Sequence, residues 1–267
     1  MAGLAIDDAA WAGAWRTRAV GDKALLSLGL VLVALVLPPW PASPLVALTS
    51  VIVMVGPARV PPSLVLRALR APMAFIVASG LSVAVSVGAQ APGEGGAGPS
   101  AYGRWGPLAV TPESLEAAVG LTAHAVAGTL AVLVLASTTP MVDLLAALRR
   151  LRVPDACVEV ASLTYRLLFV LMDAVRSIRE AQAGRLGYHG HRASLRSAGM
   201  LTAAVLTRSW DRARRMEEGL AGRGYESALV TLPREQQRSG GFVAVSLVVL
   251  ALLVASSMAV STLGGGS

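Results

Sequence analysis

Two short stretches hold the side chains best placed to do chemistry: "EAQAGRLGYHG" from Glu180 to Gly190 and "EEGLAGRGYES" from Glu217 to Ser227. Each sets a glutamate five residues before an arginine, Glu180 before Arg185 and Glu218 before Arg223. Each has glycine just before that arginine (Gly184, Gly222) and a Gly-Tyr pair after it, beginning at Gly187 and at Gly224. A guanidinium stays charged and offers a planar fork of donors that pairs bidentately with a carboxylate. The chemistry on offer is therefore ionic docking and not bond making. His189 and His191, two apart in "YHGHR", could attract a transition metal. They follow a helix end with no carboxylate or cysteine nearby, and read as a polar loop. The chain has no Walker A loop, no Gly-x-Ser-x-Gly and no His-Glu-x-x-His, so it is not itself an ATPase. No catalytic residue, cofactor or resident metal is expected.

Both motifs need a helix to present them. Good helix formers precede each arginine, and Gly187 or Gly224 can take the left-handed conformation that closes a last turn. Arginine also suits the negative end of a helix dipole. One reading is thus two C-caps. Glycine inside a helix costs about 1 kcal/mol against alanine, which caps do not explain at Gly184 and Gly222. The other reading is close approach of a second surface, with Arg185 and Arg223 as pegs for a partner having two equivalent acidic pockets. Upstream of the second peg, Leu206, Trp210, Ala213, Met216 and Leu220 form an apolar stripe. Arg208, Asp211, Arg212, Arg215 and Glu218 lie opposite it.

The rest of the chain reads as membrane. It has 267 residues, 54% apolar and 15% charged, with a mean hydropathy of +0.62; soluble domains are closer to ~25% charged. Low aromatic content favours closely packed helices over a β-barrel. Apolar segments over 24–40, 44–56, 72–90, 115–138 and 242–263 give about five spans, with residues 91–113 as a Gly/Pro-rich external loop. Gly120, His124 and Gly128 share one face of the fourth span, a small-residue stripe suited to helix packing, with His124 a packed histidine. Residues 140–240 hold 16 of the 23 basic residues, 22 of which are arginine. By the positive-inside rule that region is cytoplasmic, the N-terminus inside and the C-terminus outside. Arg166 reads as snorkelling to the interface. The single Cys157 excludes an internal disulfide, and no cleaved signal peptide or nucleic-acid-binding tract is seen. Thr111 can cap the fourth span. The organisation expected is a membrane region over 1–139, a coupling-helix region over 140–240, and a last membrane helix with its tail over 241–267.

From about Asp22 to Ser261 the chain resembles the transmembrane T component of energy-coupling factor (ECF) transporters, in their cobalt-type CbiQ branch. The likeness is strongest in "STTPMVDLLAALRRLRVP", "LTYRLLFVLMDAVRSIREAQAGR" and "RSWDRARRMEEGLAGRGY". The family ends two coupling helices with Ala-Arg-Gly or Ala-Arg-Ser, matching Gly184-Arg185-Leu186 and Gly222-Arg223-Gly224. Glycine stands here for alanine, and Leu186 for Gly or Ser. The resemblance implies an all-α, polytopic protein of a bacterial cell membrane, with two or three long cytoplasmic coupling helices. It also implies a non-catalytic subunit joining two ABC ATPases, through Arg185 and Arg223, to a separate substrate-binding membrane subunit, for cobalt or else nickel or a vitamin. An ordinary ABC permease lining its own path would dock one ATPase per chain, and two motifs in one chain argue against it. A scaffold unrelated to transport would leave both arginines dispensable.

Overall fold

The computed structural model describes residues 5–87, 103–105, 108–224 and 237–264. Nine helices occur among them: α1 (Ala5–Ala12), α2 (Val20–Val36), α3 (Pro39–Val55), α4 (Pro62–Ala84), α5 (Pro112–Thr138), α6 (Met141–Arg150), α7 (Asp155–Gly184), α8 (His191–Ala221) and α9 (Gly240–Gly264). The helical, polytopic class read from the sequence holds. Where a plain external loop was expected, a small antiparallel ribbon leads from α4 to α5: β1 (Ser86–Val87), β2 (Gly103–Trp105) and β3 (Leu108–Val110) in the order β1-β3-β2. Strands of two or three residues carry no alternation to detect. The remainder of that loop, and the last residues of the tail, lie outside the described residues.

The chain forms two compact units, Met1–Leu144 with Glu235–Ser267, and Leu145–Arg234. In the first, α5 packs against α1, α2, α3 and α4, while α9 packs on α2 and α3. Ala127 and Ala131 of α5 are fully buried beside Leu30, Val46 and Val134. Alanine there lets α2 come close enough for Ser27 Oγ to donate to Ala131 O at 2.7 Å. Lys23, 0% exposed, donates from Nζ to Thr138 O at 2.9 Å. It thereby satisfies a carbonyl that the end of α5 leaves without a helical partner. Thr122 and Thr129 return their hydroxyls to carbonyls four residues back, the usual way to hide a hydroxyl in hydrocarbon. Thr111 caps α5 as expected, in a reciprocal box with Ser114.

Outside this bundle the polarity is inverted: Leu28, Leu32 and Leu35 of α2 and Val245, Val248 and Leu252 of α9 are exposed. Such a surface is costly in water and natural in lipid. Among the described residues three helices, α4, α5 and α9, are long and apolar enough to cross a membrane. The apolar helix α3 is shorter, with 17 residues and a non-helical break at Trp40, and α2 also has 17. At ~1.5 Å per residue each reaches about 25 Å, short of a ~30 Å core. Helix α4 begins at Pro62, not near the expected Pro72, so Arg67 and Arg70 sit on the helix instead of ahead of it. The first turn is held by buried Val65, and Pro72 is carried inside.

The second unit contains α7 and α8, 30 and 31 residues long, packed on each other. Arg149 Nε lies 3.5 Å from Asp155 Oδ1 across the turn that enters α7. On α8 the side chains of Ala204, Val205 and Ser209 are partly buried, whereas Leu206 and Trp210 stand exposed, Trp210 by 71%. Only Met216 and Leu220 of the apolar stripe are half-buried, and Ala213 is exposed.

Candidate docking arginines

Arg185 directly follows α7. Behind it the chain closes in a left-handed turn: Leu186 N donates to Ala183 O at 3.0 Å and Gly187 N to Gln182 O at 2.8 Å. These are the two hydrogen bonds of a Schellman ending. Arg223 follows α8 after one intervening residue, Gly222, and closes in the same kind of turn. Its N–H donates to Leu220 O and Gly224 N to Ala221 O, at 3.0 and 3.1 Å. Tyr225, which would supply the other bond, lies outside the described residues.

The left-handed residue occupies the same place in both motifs, one after the arginine. In the second it is Gly224, with φ 70°, as expected. In the first it is Leu186, with φ 59°, and not Gly187. The correction has a physical basis: the hydrogen-bond register of the turn fixes which residue must adopt positive φ, and side-chain preference yields to it. A left-handed conformation costs an L-residue roughly 1–2 kcal/mol. Gly187 is needed for space instead. A Cβ there would stand 2.7 Å from Ser197 Oγ and 2.8 Å from Gln182 O.

Ser197, buried on α8, donates to Gly187 O at 2.7 Å. Gln182 donates from Nε2 to Ser197 O at 3.0 Å and accepts from the Tyr188 hydroxyl at 2.8 Å. The Arg179 guanidinium lies 5.9 Å from the centre of the Tyr188 ring. Sequence reading missed this brace. Its one signal was a Gln and a Tyr on either side of the motif, and Ser197 is visible only once α8 folds back. The brace fixes the turn while leaving Arg185 outside it.

Arg185 and Arg223 are both exposed, and neither side chain has a hydrogen-bond or ion-pair partner among the described residues. Glu218 pairs with Arg214, Nε to Oε1 at 3.2 Å, and not with Arg223. Among the described residues nothing lies within 4 Å of a Cβ placed on Gly184 or Gly224, and at Gly222 only ordinary contacts arise, with Glu218 O at 3.5 Å and Gly219 O at 4.0 Å. The small residues before the arginines therefore answer to no crowding among the described residues. In the membrane unit, a Cβ on Gly120 would meet Pro39 Cγ at 3.2 Å, whereas Gly128 faces open space. His124 Nδ1 is 3.2 Å from Gly120 O. His189 and His191 are exposed, and no group of three or more metal-ligating side chains occurs among the described residues.

This arrangement can hold two separate anionic partners. The two arginines flank opposite ends of one helix, since α8 starts just after the first turn and ends at the second. At ~1.5 Å per residue, α8 is about 46 Å long.

Known proteins resemble this chain, one of them over nearly its whole length. The chain is 33% identical to the cobalt transport protein CbiQ of Rhodobacter capsulatus over 258 residues, 97% of this chain and 99% of that one. It is 38% identical over 82 residues, 29% of the chain, to CbiQ of Salmonella typhimurium, covering 36% of that protein. A putative fused cobalt transport protein CbiMQ of Methanocorpusculum labreanum is 30% identical over 127 residues, 48% of this chain and 21% of that one. The profile of the cobalt transport protein family CbiQ matches residues 12–233. With its bilayer-length helices this is a multi-pass membrane protein, and it belongs to the CbiQ family of cobalt transport proteins.

Proposed function

We propose that this chain is the coupling subunit of an ECF-type ABC importer for cobalt. It would transmit the motion of two ATPase subunits to a separate substrate-binding membrane subunit. The observation that carries the reading is the repetition of one turn. Two long helices end alike, each followed by an exposed arginine without a partner among the described residues. Arg185 and Arg223 would each enter an acidic groove on one ATPase, with Gly184 and Gly222 giving the groove wall room to approach. A guanidinium fork on two carboxylate oxygens fixes direction as well as charge. When the ATPases close on ATP, both ends of α8 are carried along. The fused CbiMQ relative joins two parts in one chain, which supports a second membrane subunit beside this one. Cobalt rests on the names of the family and of its relatives. The arginine-rich region over 140–240 favours a cytoplasmic placement for both motifs, in a bacterial cell membrane, with the N-terminus inside and the C-terminus outside.

The test is copurification with the ATPases and cobalt uptake for Arg185→Glu, Arg223→Glu and the double variant. Removing one member of a buried ion pair costs ~3–5 kcal/mol, so each single variant should lose most of the bound ATPase at its own site. The unmutated chain should hold two ATPases, which an ordinary permease docking one per chain would not. A double variant that keeps both ATPases and normal uptake would sink the proposal.

A further inference from the structure

Near the start of α9 the membrane unit has a cavity of about 480 Å³, lined among others by Trp15, Arg18, Val53, Phe242, Val245 and Val249. The Arg18 guanidinium lies over the Phe242 ring, 4.8 Å from its centre. Trp15 meets the same ring edge-on, with centroids 4.9 Å apart. The ring orients the cation without neutralising it, and no carboxylate lies within ion-pair distance of Arg18 among the described residues. The carboxylate at this end of α9, Asp22, accepts from Ser239 N at 3.1 Å. The pocket thus has one positive charge at its aromatic rim and a mostly apolar wall, whose two serines are engaged within α9 and its entry: Ser239 Oγ accepts from Phe242 N and Ser246 Oγ donates to Phe242 O. Val245 on that wall is 64% exposed, on the outer side of a helix long enough to span the bilayer.

The geometry points to a binding site for one anionic phospholipid, its phosphodiester on Arg18 and an acyl chain along Val245 and Val249. Charge complementarity selects an anion, since a guanidinium pairs bidentately with phosphate. The wall selects a lipid, because a free phosphate has no use for apolar surface. Basic pockets between membrane helices hold such headgroups, and aromatic side chains favour the headgroup level. The volume falls within the ~300–1,000 Å³ range of small-molecule sites. The leaflet, the cytoplasmic one, rests on the orientation proposed above; the site itself does not.

The experiment uses the full chain in detergent, with phosphatidylglycerol, phosphatidylcholine or inorganic phosphate added. Lipid adducts are counted by native mass spectrometry and stability is followed by melting. Phosphatidylglycerol should leave one retained adduct and raise the melting temperature, while phosphatidylcholine and phosphate do neither. Arg18→Gln should cut the adduct about tenfold. Val245→Trp should do the same with the charge kept, and it decides the matter if Arg18→Gln fails to fold. Arg16→Gln should bind as the parent does, because Arg16 stacks on Trp11 and does not line this pocket. Undiminished binding by Val245→Trp, equal retention of phosphatidylcholine, or an equal effect of inorganic phosphate would overturn the assignment. ATPase copurification, which does not depend on Arg18, separates failure here from failure of the docking proposal.

Discussion

Leu186 shows what the first docking turn demands. It holds φ 59° with its side chain 73% exposed, so the backbone cost is not offset by burial within the chain. Leu186→Gly should remove that cost and raise stability by about 1 kcal/mol, after allowing for glycine's looser unfolded state. On a protein of this size that is roughly 2–4 °C in melting temperature. ATPase recovery should be undiminished. A lower melting temperature would show that the turn is not strained; higher stability with lost ATPase would mean that the leucine side chain itself meets the partner. At this scale the sequence was legible where chemistry repeats. The duplicated Gly-Arg pairs marked the turns, and Gly224 took its expected conformation. Leu186 was misread because glycine's preference for positive φ is only a tendency, while hydrogen-bond register is an obligation. Ser197 escaped because its partners lie across a helix hairpin, not along the chain.

Helix α8 is the element that joins the two pegs, and its value in coupling would be stiffness. Ala203 lies mid-helix with its side chain exposed, so Ala203→Pro tests the backbone with little loss of packing. Proline there removes a hydrogen bond, clashes with the carbonyl four residues back, and costs ~3 kcal/mol or more. Both turns are remote from the kink. ATPases should therefore still copurify while cobalt uptake falls at least several-fold. Uptake at the parent level, with the kink verified, would mean that α8 does not carry the motion. Elements of this length were the most legible part of the fold, since sustained apolar or amphipathic stretches declare themselves. Their ends were less so. The third span reads from residue 72 because the uncharged apolar run begins after Arg70, yet α4 runs back to Pro62 and carries Arg67 and Arg70 on it. The stripe on α8 reads as a side for a membrane face or for other helices, and Leu206 and Trp210 find no cover among the described residues. Periodicity identifies an apolar side, and it does not say whether the chain or a partner covers it.

Across the whole molecule, sidedness is the property on which the proposed role depends. Cys157, the chain's single cysteine, is exposed on α7 and so serves as a natural reporter. A membrane-impermeant maleimide should label it in inside-out vesicles and leave it unmodified in right-side-out ones. The reverse pattern would place the arginine pegs outside the cell, where no ATPase could meet them. Composition alone made the membrane class and the charge asymmetry readable. How α5 is wrapped by α1 to α4 was not, because that order depends on which small residues face one another. One detail of that packing reaches further. The chain's only lysine is sealed at the end of α5, its amine held by Thr138 O. Acylating reagents therefore find no side-chain amine while α2 and α5 stay zipped. The rate at which Lys23 becomes acylated would clock the parting of those two helices, giving a stopwatch for the membrane unit that needs no engineered label.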